Sequence, residues 1–178
     1  AIGFTVDVAT PGGVVPLPDM HSLSAGQSQQ SLQQEFPGLF SPLVLEDVDL
    51  TALDTAGYAA LIIPGGYSPM IDLRDSAALG ALLRGALERK LILASICHGP
   101  VVLLSTLVEG EDWPFRGAQM ISFTDEEETD WLKERTPLLP WLVQSSLERA
   151  GADFQSSPGP WRSKVVVDSR LKLVTGQS

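Results

Sequence analysis

The stretch Leu91-Ile92-Leu93-Ala94-Ser95-Ile96-Cys97-His98-Gly99-Pro100 decides the fold of this chain. Its first six residues are mostly apolar and show no polar alternation, which predicts a strand over residues 91–96 that is buried on both faces. A proline is tolerated in the first turn of a helix, so we expect a helix over residues 100–107. The only cysteine of the chain, Cys97, therefore lies where a buried strand turns into a helix.

Similar patterns recur on either side of this stretch. Strands are expected in five further segments: residues 4–9, 59–63, 118–123, 165–167 and 171–175. Helices are expected around residues 28–35, 79–87 and 138–147, the last two from the spacing of their apolar residues. Asp75 or Ser76 can cap the start of the second helix, and Gly151 is placed to end the last of them. Buried strands separated by helices predict an α/β fold, here a flavodoxin-like three-layer sandwich in which helices cover both faces of one mainly parallel sheet.

The composition limits the kinds of partner. A length of 178 residues suits one domain, so residues 1–178 are expected to form a single unit. The formal net charge of −10 repels the phosphates of nucleic acid, and no basic cluster offsets it. No apolar run reaches the roughly 20 residues that span a bilayer, and a lone cysteine forms no internal disulfide. We therefore expect a cytoplasmic protein with neither nucleic acid nor membrane as a partner.

Cys97 is the candidate nucleophile. A cysteine at the N-terminal end of a helix meets free backbone N–H groups, which stabilise its thiolate. The backbone N–H of His98 and one from the loop of Gly65 and Gly66 are expected to stabilise the oxyanion that forms when this thiolate adds to a carbonyl. The alternative is that Cys97 is a small buried hydrophobe, as many free cysteines are. By its spacing alone, His98 is either an acid/base partner or a residue that only packs beside the turn.

Four motifs in chain order, preceded by the turn of residues 9–13, carry a resemblance to a known family. They are Ile63-Pro64-Gly65-Gly66-Tyr67, Ile96-Cys97-His98-Gly99-Pro100, Phe123-Thr124-Asp125-Glu126-Glu127-Glu128 and Val174-Thr175-Gly176-Gln177-Ser178. This order resembles the ThiJ/PfpI superfamily, which has the class I glutamine amidotransferase-like fold. The motif Cys-His-Gly-Pro is similar to that of its heat-shock chaperone and glyoxalase III branch.

The resemblance implies a role for each residue of the site. Cys97 would be the nucleophile, His98 its acid/base partner, and an acid of residues 125–128 would orient the imidazole. Matching Phe123 to the end of the equivalent strand favours Glu128 as this acid, with Asp125 and Glu126 as alternatives. The alternative is that the run is a solvent-exposed helix start, because acidic residues are favoured in the first turn of any helix. Both interpretations can hold for different members of the run.

The sequence also departs from the family pattern. Relatives begin with a further strand and helix, whose glutamate hydrogen-bonds the nucleophilic sulfur, and they continue into a final helix. We expect the chain to lack these elements and one acid of the site to lie outside it. No histidine follows His98, so the distant histidine of true glutaminase triads is not available. His21, the other histidine, is expected at the surface rather than in a metal site.

The resemblance implies an enzyme that needs no cofactor. Two histidines and one cysteine are too few for a zinc site made of these ligands alone, so no metal is expected. A glyoxalase III-like lyase would convert small 2-oxoaldehydes such as methylglyoxal to 2-hydroxy acids, with Cys97 adding to the aldehyde. The alternatives are a cysteine amidase or peptidase of the same fold, and a holdase chaperone or oxidative-stress sensor without catalysis. The expected partners are a small carbonyl substrate and, as in relatives, a second copy of the chain in a homodimer.

Overall fold

The computed structural model describes residues 3–18, 23–24, 28–48, 58–134 and 140–178, and the chain divides into two compact units, residues 1–49 and 50–178. In the first unit, β1 (Ala9–Thr10) precedes α1 (Gln29–Glu35), which precedes β2 (Leu43–Val44), and the two strands pair in parallel. The predicted helix around residues 28–35 is confirmed, and the Ser28 side chain caps its start. That both units belong to one domain stays a prediction.

The strand predicted over residues 4–9 is wrong for most of its length, because only Ala9 lies in β1. Phe4 and Val6 alternate as in a strand, but they are 70% and 75% exposed. Apolar alternation becomes a strand only where a neighbouring segment accepts its backbone hydrogen bonds, and β2 pairs with no more than two residues of β1.

The second unit alternates strands and helices. It contains β3 (Ala60–Ile63), α2 (Ala77–Glu88), β4 (Ile92–Ile96), a 3₁₀ helix over Gly99–Thr106, β5 (Gln119–Met120), α3 (Asp125–Trp131), α4 (Val143–Ala150), β6 (Asp153–Phe154), β7 (Val165–Asp168) and β8 (Leu173–Gly176). Four of these strands form one sheet of order β3-β4-β8-β7, in which only β7 runs antiparallel to its neighbour. The unit is thus an α/β fold with a mainly parallel sheet, as predicted.

The expected single sheet is corrected at residues 118–123, where β5 pairs with β6 in a separate parallel ladder. The residues after β5 donate their hydrogen bonds to other groups. The Ile121 N–H donates to Thr175 Oγ1 at 2.9 Å, and the Phe123 N–H donates to Cys97 O at 2.8 Å. The backbone after β5 therefore donates to a threonine side chain and to the turn at Cys97, and not to a neighbouring strand as predicted.

Helices cover one face of the four-stranded sheet. Leu93 and Leu173 are 1% exposed on that face, and Leu83 of α2 and Val101 of the 3₁₀ helix are fully buried. Successive side chains of a strand point to opposite faces, and on the other face the apolar side chains remain 43–69% exposed: Ile62, Ile92, Ile96, Val165 and Val167.

Local signals set the ends of two helices. The Ser76 side chain accepts the Leu79 N–H at 3.2 Å and begins α2, and Gly151, with φ of 104°, ends α4, so both predictions are confirmed. The hairpin of β7 and β8 is also confirmed. The helix after Cys97 differs from the prediction because it is 3₁₀ in type. Residues 138 and 139 of the predicted last helix lie outside the described residues.

Candidate active site

Cys97 lies in the tight turn between β4 and the 3₁₀ helix over Gly99–Thr106. Its φ of 62° is in the left-handed region, which costs a non-glycine residue about 1–3 kcal/mol. Two backbone hydrogen bonds hold this conformation, from the Cys97 N–H to Gly176 O at 3.0 Å and from the Phe123 N–H to Cys97 O at 2.8 Å. The thiol is thereby held at the carboxyl edge of the sheet, where α/β folds place reactive groups.

The loop after β3 packs directly against this turn. A Cβ on Gly65 would lie 2.6 Å from Cys97 Cβ and 3.3 Å from its Sγ. A Cβ on Gly99 would lie 2.7 Å from Pro64 O. Real Cβ atoms do not approach other atoms this closely, so only glycine at these two positions allows the contact.

Three side chains form a hydrogen-bonded line at this edge. Cys97 Sγ lies 3.2 Å from His98 Nδ1, and His98 Nε2 lies 2.7 Å from Glu128 Oε2. His98 is 3% exposed and Glu128 is 5% exposed, whereas Cys97 is half-buried. The structure thus brings together Cys97, His98 and Glu128, the three residues that were predicted to be catalytic.

Aromatic rings enclose the imidazole. Phe123 stacks on His98 with ring centroids 4.3 Å apart, and Tyr67 lies on it at 4.5 Å. The Tyr67 hydroxyl also donates a hydrogen bond to Glu128 Oε1 at 2.5 Å. Neither Tyr67 nor Phe123 was predicted to belong to the site. In the sequence, only their positions could have indicated it, because Tyr67 directly follows the Gly-Gly loop and Phe123 begins the acidic motif.

The surroundings favour an ionised site. Burial raises the pKa of the Cys97 thiol, but the hydrogen bond and charge of His98 outweigh it and bring the pKa below its usual value. Burial lowers the pKa of His98, yet Cys97 and Glu128 together raise it to about 9. Burial raises the pKa of Glu128, but His98 and Tyr67 bring it below its usual value. Relative to the free side chains, the site therefore stabilises the ionised form of all three groups: the Cys97 thiolate, the His98 imidazolium and the Glu128 carboxylate.

Two backbone N–H groups face the sulfur, those of Gly66 and His98, and each helps to lower the thiol pKa. The expected oxyanion donors thus divide between the neighbouring glycines. Gly66 supplies the N–H group, and Gly65 contributes the absence of a side chain against Cys97. An oxygen anion formed beside the sulfur would lie within the same field of donors.

Glu127 is a structural residue of the acidic run. Its Oε2 accepts the Thr124 N–H at 2.9 Å, and its own N–H donates to Thr124 Oγ1, which forms a capping box at the start of α3. Its Oε1 accepts the Trp161 N–H at 2.8 Å and the Gln177 Nε2 at 3.0 Å. The side chain is fully buried, so these donors outweigh burial and lower its pKa.

The other acids of the run have different surroundings. Asp125 accepts hydrogen bonds from the Ser145 backbone and side chain, which ties α3 to α4. Glu126 is exposed, as the solvent-facing interpretation predicts. That interpretation is wrong for Glu127 and Glu128, because long-range partners bury both carboxylates.

The described residues contain no group of three or more His, Cys, Asp or Glu side chains that could hold a metal ion. None of the helices in the described ranges is long and apolar enough to cross a membrane. His21 lies outside the described residues, so its expected surface position stays a prediction.

Comparison with known proteins agrees with the motifs. The model of the DJ-1/PfpI family matches residues 6–112, more than half of the chain. The protein/nucleic acid deglycase HchA of Pseudomonas aeruginosa is 31% identical over 184 residues, which cover 99% of this chain and 62% of that protein. The HchA deglycase of Escherichia coli is 27% identical and is covered to the same 62%. The chain therefore spans less than two thirds of the length of these curated relatives.

Solved structures share the fold. The Rapid Encystment Protein 24 KDa of Francisella tularensis is 22% identical with a TM-score of 0.78, over 100% of this chain and 76% of that one. Glyoxalase III of Candida albicans is 20% identical with a TM-score of 0.73, over 97% of this chain and 73% of that one. At these identities the likeness shows the fold alone. Together with the family match and the turn that holds Cys97, it shows that the chain belongs to the DJ-1/PfpI family.

Proposed function

We propose that this chain is a cysteine-dependent lyase of the glyoxalase III type, which converts small 2-oxoaldehydes such as methylglyoxal to 2-hydroxy acids without a cofactor. The observation that carries the proposal is the hydrogen-bonded line from Cys97 Sγ through His98 to Glu128, at 3.2 Å and 2.7 Å. This line supplies a thiolate and a proton carrier side by side, which is what the reaction needs.

In the first step, the Cys97 thiolate adds to the aldehyde carbon. A carbon–sulfur bond forms, and the carbonyl electron pair moves to the oxygen, which becomes an alkoxide. The N–H groups of Gly66 and His98 face the sulfur, and they would stabilise this anion as it forms beside the sulfur. The His98 imidazolium gives its proton to the alkoxide, which leaves a hemithioacetal on Cys97 and a neutral imidazole.

In the second step, His98 moves a proton between the two carbons. The neutral imidazole takes the proton from the former aldehyde carbon and returns it to the neighbouring carbon, while the hydroxyl proton moves from the first oxygen to the second. A thioester of the 2-hydroxy acid then remains on Cys97. Water then cleaves the thioester and releases the acid and the thiol. Methylglyoxal and one water thus give lactic acid, with no external oxidant or reductant. Glu128 holds the imidazole in place and stabilises its protonated form.

Removal of adducts that 2-oxoaldehydes form with amines or thiols is a second candidate. The Pseudomonas aeruginosa relative, 31% identical to this chain, is named a protein/nucleic acid deglycase. The chemistry at Cys97 and His98 would be the same once the aldehyde carbon is free. The two activities differ in the substrate that is consumed first, so kinetics with free methylglyoxal and with a preformed adduct distinguish them.

The test is production of lactate from methylglyoxal without glutathione, by the wild-type protein and by Cys97→Ser. We expect turnover by the wild type and none by the variant, with the same far-UV circular dichroism. Turnover that requires glutathione, or that survives Cys97→Ser, would refute the proposal. Amide hydrolysis without lactate would favour a cysteine amidase, and suppression of aggregation by both proteins without turnover would favour a holdase.

A further inference from the structure

We propose that Tyr67 is a positioning residue of this site, which locks the Glu128 carboxylate toward His98 and ties it to the loop that carries the Gly66 N–H. The inference rests on the proposed role of Cys97 as the nucleophile. It adds a fourth member to the line of side chains, on a segment 61 residues away from Glu128 in sequence.

The first support is the hydrogen bonding of the carboxylate. Glu128 is 5% exposed, so solvent does not satisfy its oxygens. Oε2 lies 2.7 Å from His98 Nε2, and Oε1 accepts the Tyr67 hydroxyl at 2.5 Å. Loss of the hydroxyl would leave a buried oxygen without this donor and would free the carboxylate to rotate away from His98.

The second support is the ring of Tyr67. It lies 4.5 Å from the His98 imidazole, on which Phe123 stacks at 4.3 Å. The Tyr67 backbone is itself anchored, because its carbonyl accepts the Met70 N–H at 3.0 Å and Met70 is buried. A firmly held residue thus contacts the base with its ring and the acid with its hydroxyl.

Two titratable side chains contact the Glu128 carboxylate from other elements of the described structure. His98 faces it from the turn after β4, and Tyr67 faces it from the loop after β3. On α3 itself, the neighbouring Glu127 directs its carboxylate toward Thr124 and other donors instead. Removal of the Tyr67 hydroxyl should therefore raise the pKa of Glu128, because a donor to a carboxylate stabilises its ionised form.

This change has a measurable effect on Cys97. Below the raised pKa, Glu128 is neutral and no longer stabilises the His98 imidazolium, so the thiolate loses its partner. In Tyr67→Phe, the acid limb of the rate of Cys97 alkylation by iodoacetamide should move to higher pH. A hydrogen bond to a charged group corresponds to a displacement of about one to two pH units. Because Cys97 is the only cysteine, mass spectrometry counts its modification directly.

The chain offers a matched control, since Tyr58 is its only other tyrosine. Tyr58→Phe should leave the acid limb unchanged. When Tyr58→Phe is produced with 3-fluorotyrosine, only position 67 carries the fluorinated ring. Fluorotyrosine is a stronger hydrogen-bond donor than tyrosine, so the acid limb should move to lower pH. The fluorinated protein keeps the hydroxyl and the ring at position 67, so it tests the inference even if Tyr67→Phe folds poorly. In a Glu128→Gln background, Tyr67→Phe should cause no further shift.

An acid limb that is unchanged in both Tyr67→Phe and the fluorinated protein would overturn the inference, as would additive shifts in the double variant. The readout is independent of methylglyoxal turnover. If the limb shifts as expected but the wild type produces no lactate, the proposed function fails and the role of Tyr67 stands. If lactate forms but the acid limb does not move in either variant, the inference about Tyr67 fails and the proposed function stands.

Discussion

Replacement of Glu128 by glutamine probes the site most sharply, because it keeps the shape of the side chain and removes its charge. Glu128 Oε2 lies 2.7 Å from His98 Nε2, and both side chains are buried. A hydrogen bond to a charged group is worth about 1.5–3 kcal/mol. At 1.36 kcal/mol per pKa unit, the pKa of His98 should fall from about 9 by about one to two units. The same free energy corresponds to a fall of about 10- to 150-fold in the turnover of methylglyoxal.

The assay is lactate formation at saturating methylglyoxal, with the pH dependence of kcat recorded for each protein. Glu126→Gln is the matched control, because it makes the same substitution on the same helix at an exposed carboxylate. This control should retain nearly all of its turnover. Equal losses in the two variants would indicate a general effect of charge, and a loss confined to Glu126→Gln would refute the assignment of Glu128.

Two further substitutions test the packing of the site. Glu127→Gln should lower the free energy of unfolding by about 1–3 kcal/mol, because an amide leaves some of its buried donors unpaired; thermal unfolding that matches Glu126→Gln would contradict this. Gly65→Ala should cost about 1–3 kcal/mol and slow alkylation of Cys97, since its Cβ would lie 2.6 Å from Cys97 Cβ. Gly38→Ala, which has open space around it, is the control, and equal behaviour of the two alanine variants would show that the close contact is not required.

The parts of the fold that were predictable are those specified by short-range signals. The apolar runs predicted β3 and β4, and Ser76 and Gly151 marked the ends of α2 and α4 correctly. The turn at Cys97 was predictable for the same reason, because a buried strand and a proline-containing helix start are adjacent in sequence.

The rest depends on partners that are distant in sequence. Residues 4–8 and 121–123 have strand-like composition, but pairing needs a second segment in register. The burial of Glu127 depends on Trp161 and Gln177, which are 34 and 50 residues away. The contact of Tyr67 with Glu128 spans 61 residues. A local pattern of four acids carries no information about such contacts, so by itself it could not separate the buried acids from the exposed one.

The pH dependence of Cys97 alkylation in the wild-type protein tests the central claim most directly. A thiolate reacts and a thiol does not, so the rate with iodoacetamide rises through the thiol pKa and then levels off. Because His98 and the facing N–H groups lower that pKa, the midpoint of the rise should lie below the value of about 8.5 that is typical of a free thiol. A midpoint at or above about pH 8.5 in the folded protein would contradict an activated nucleophile at Cys97.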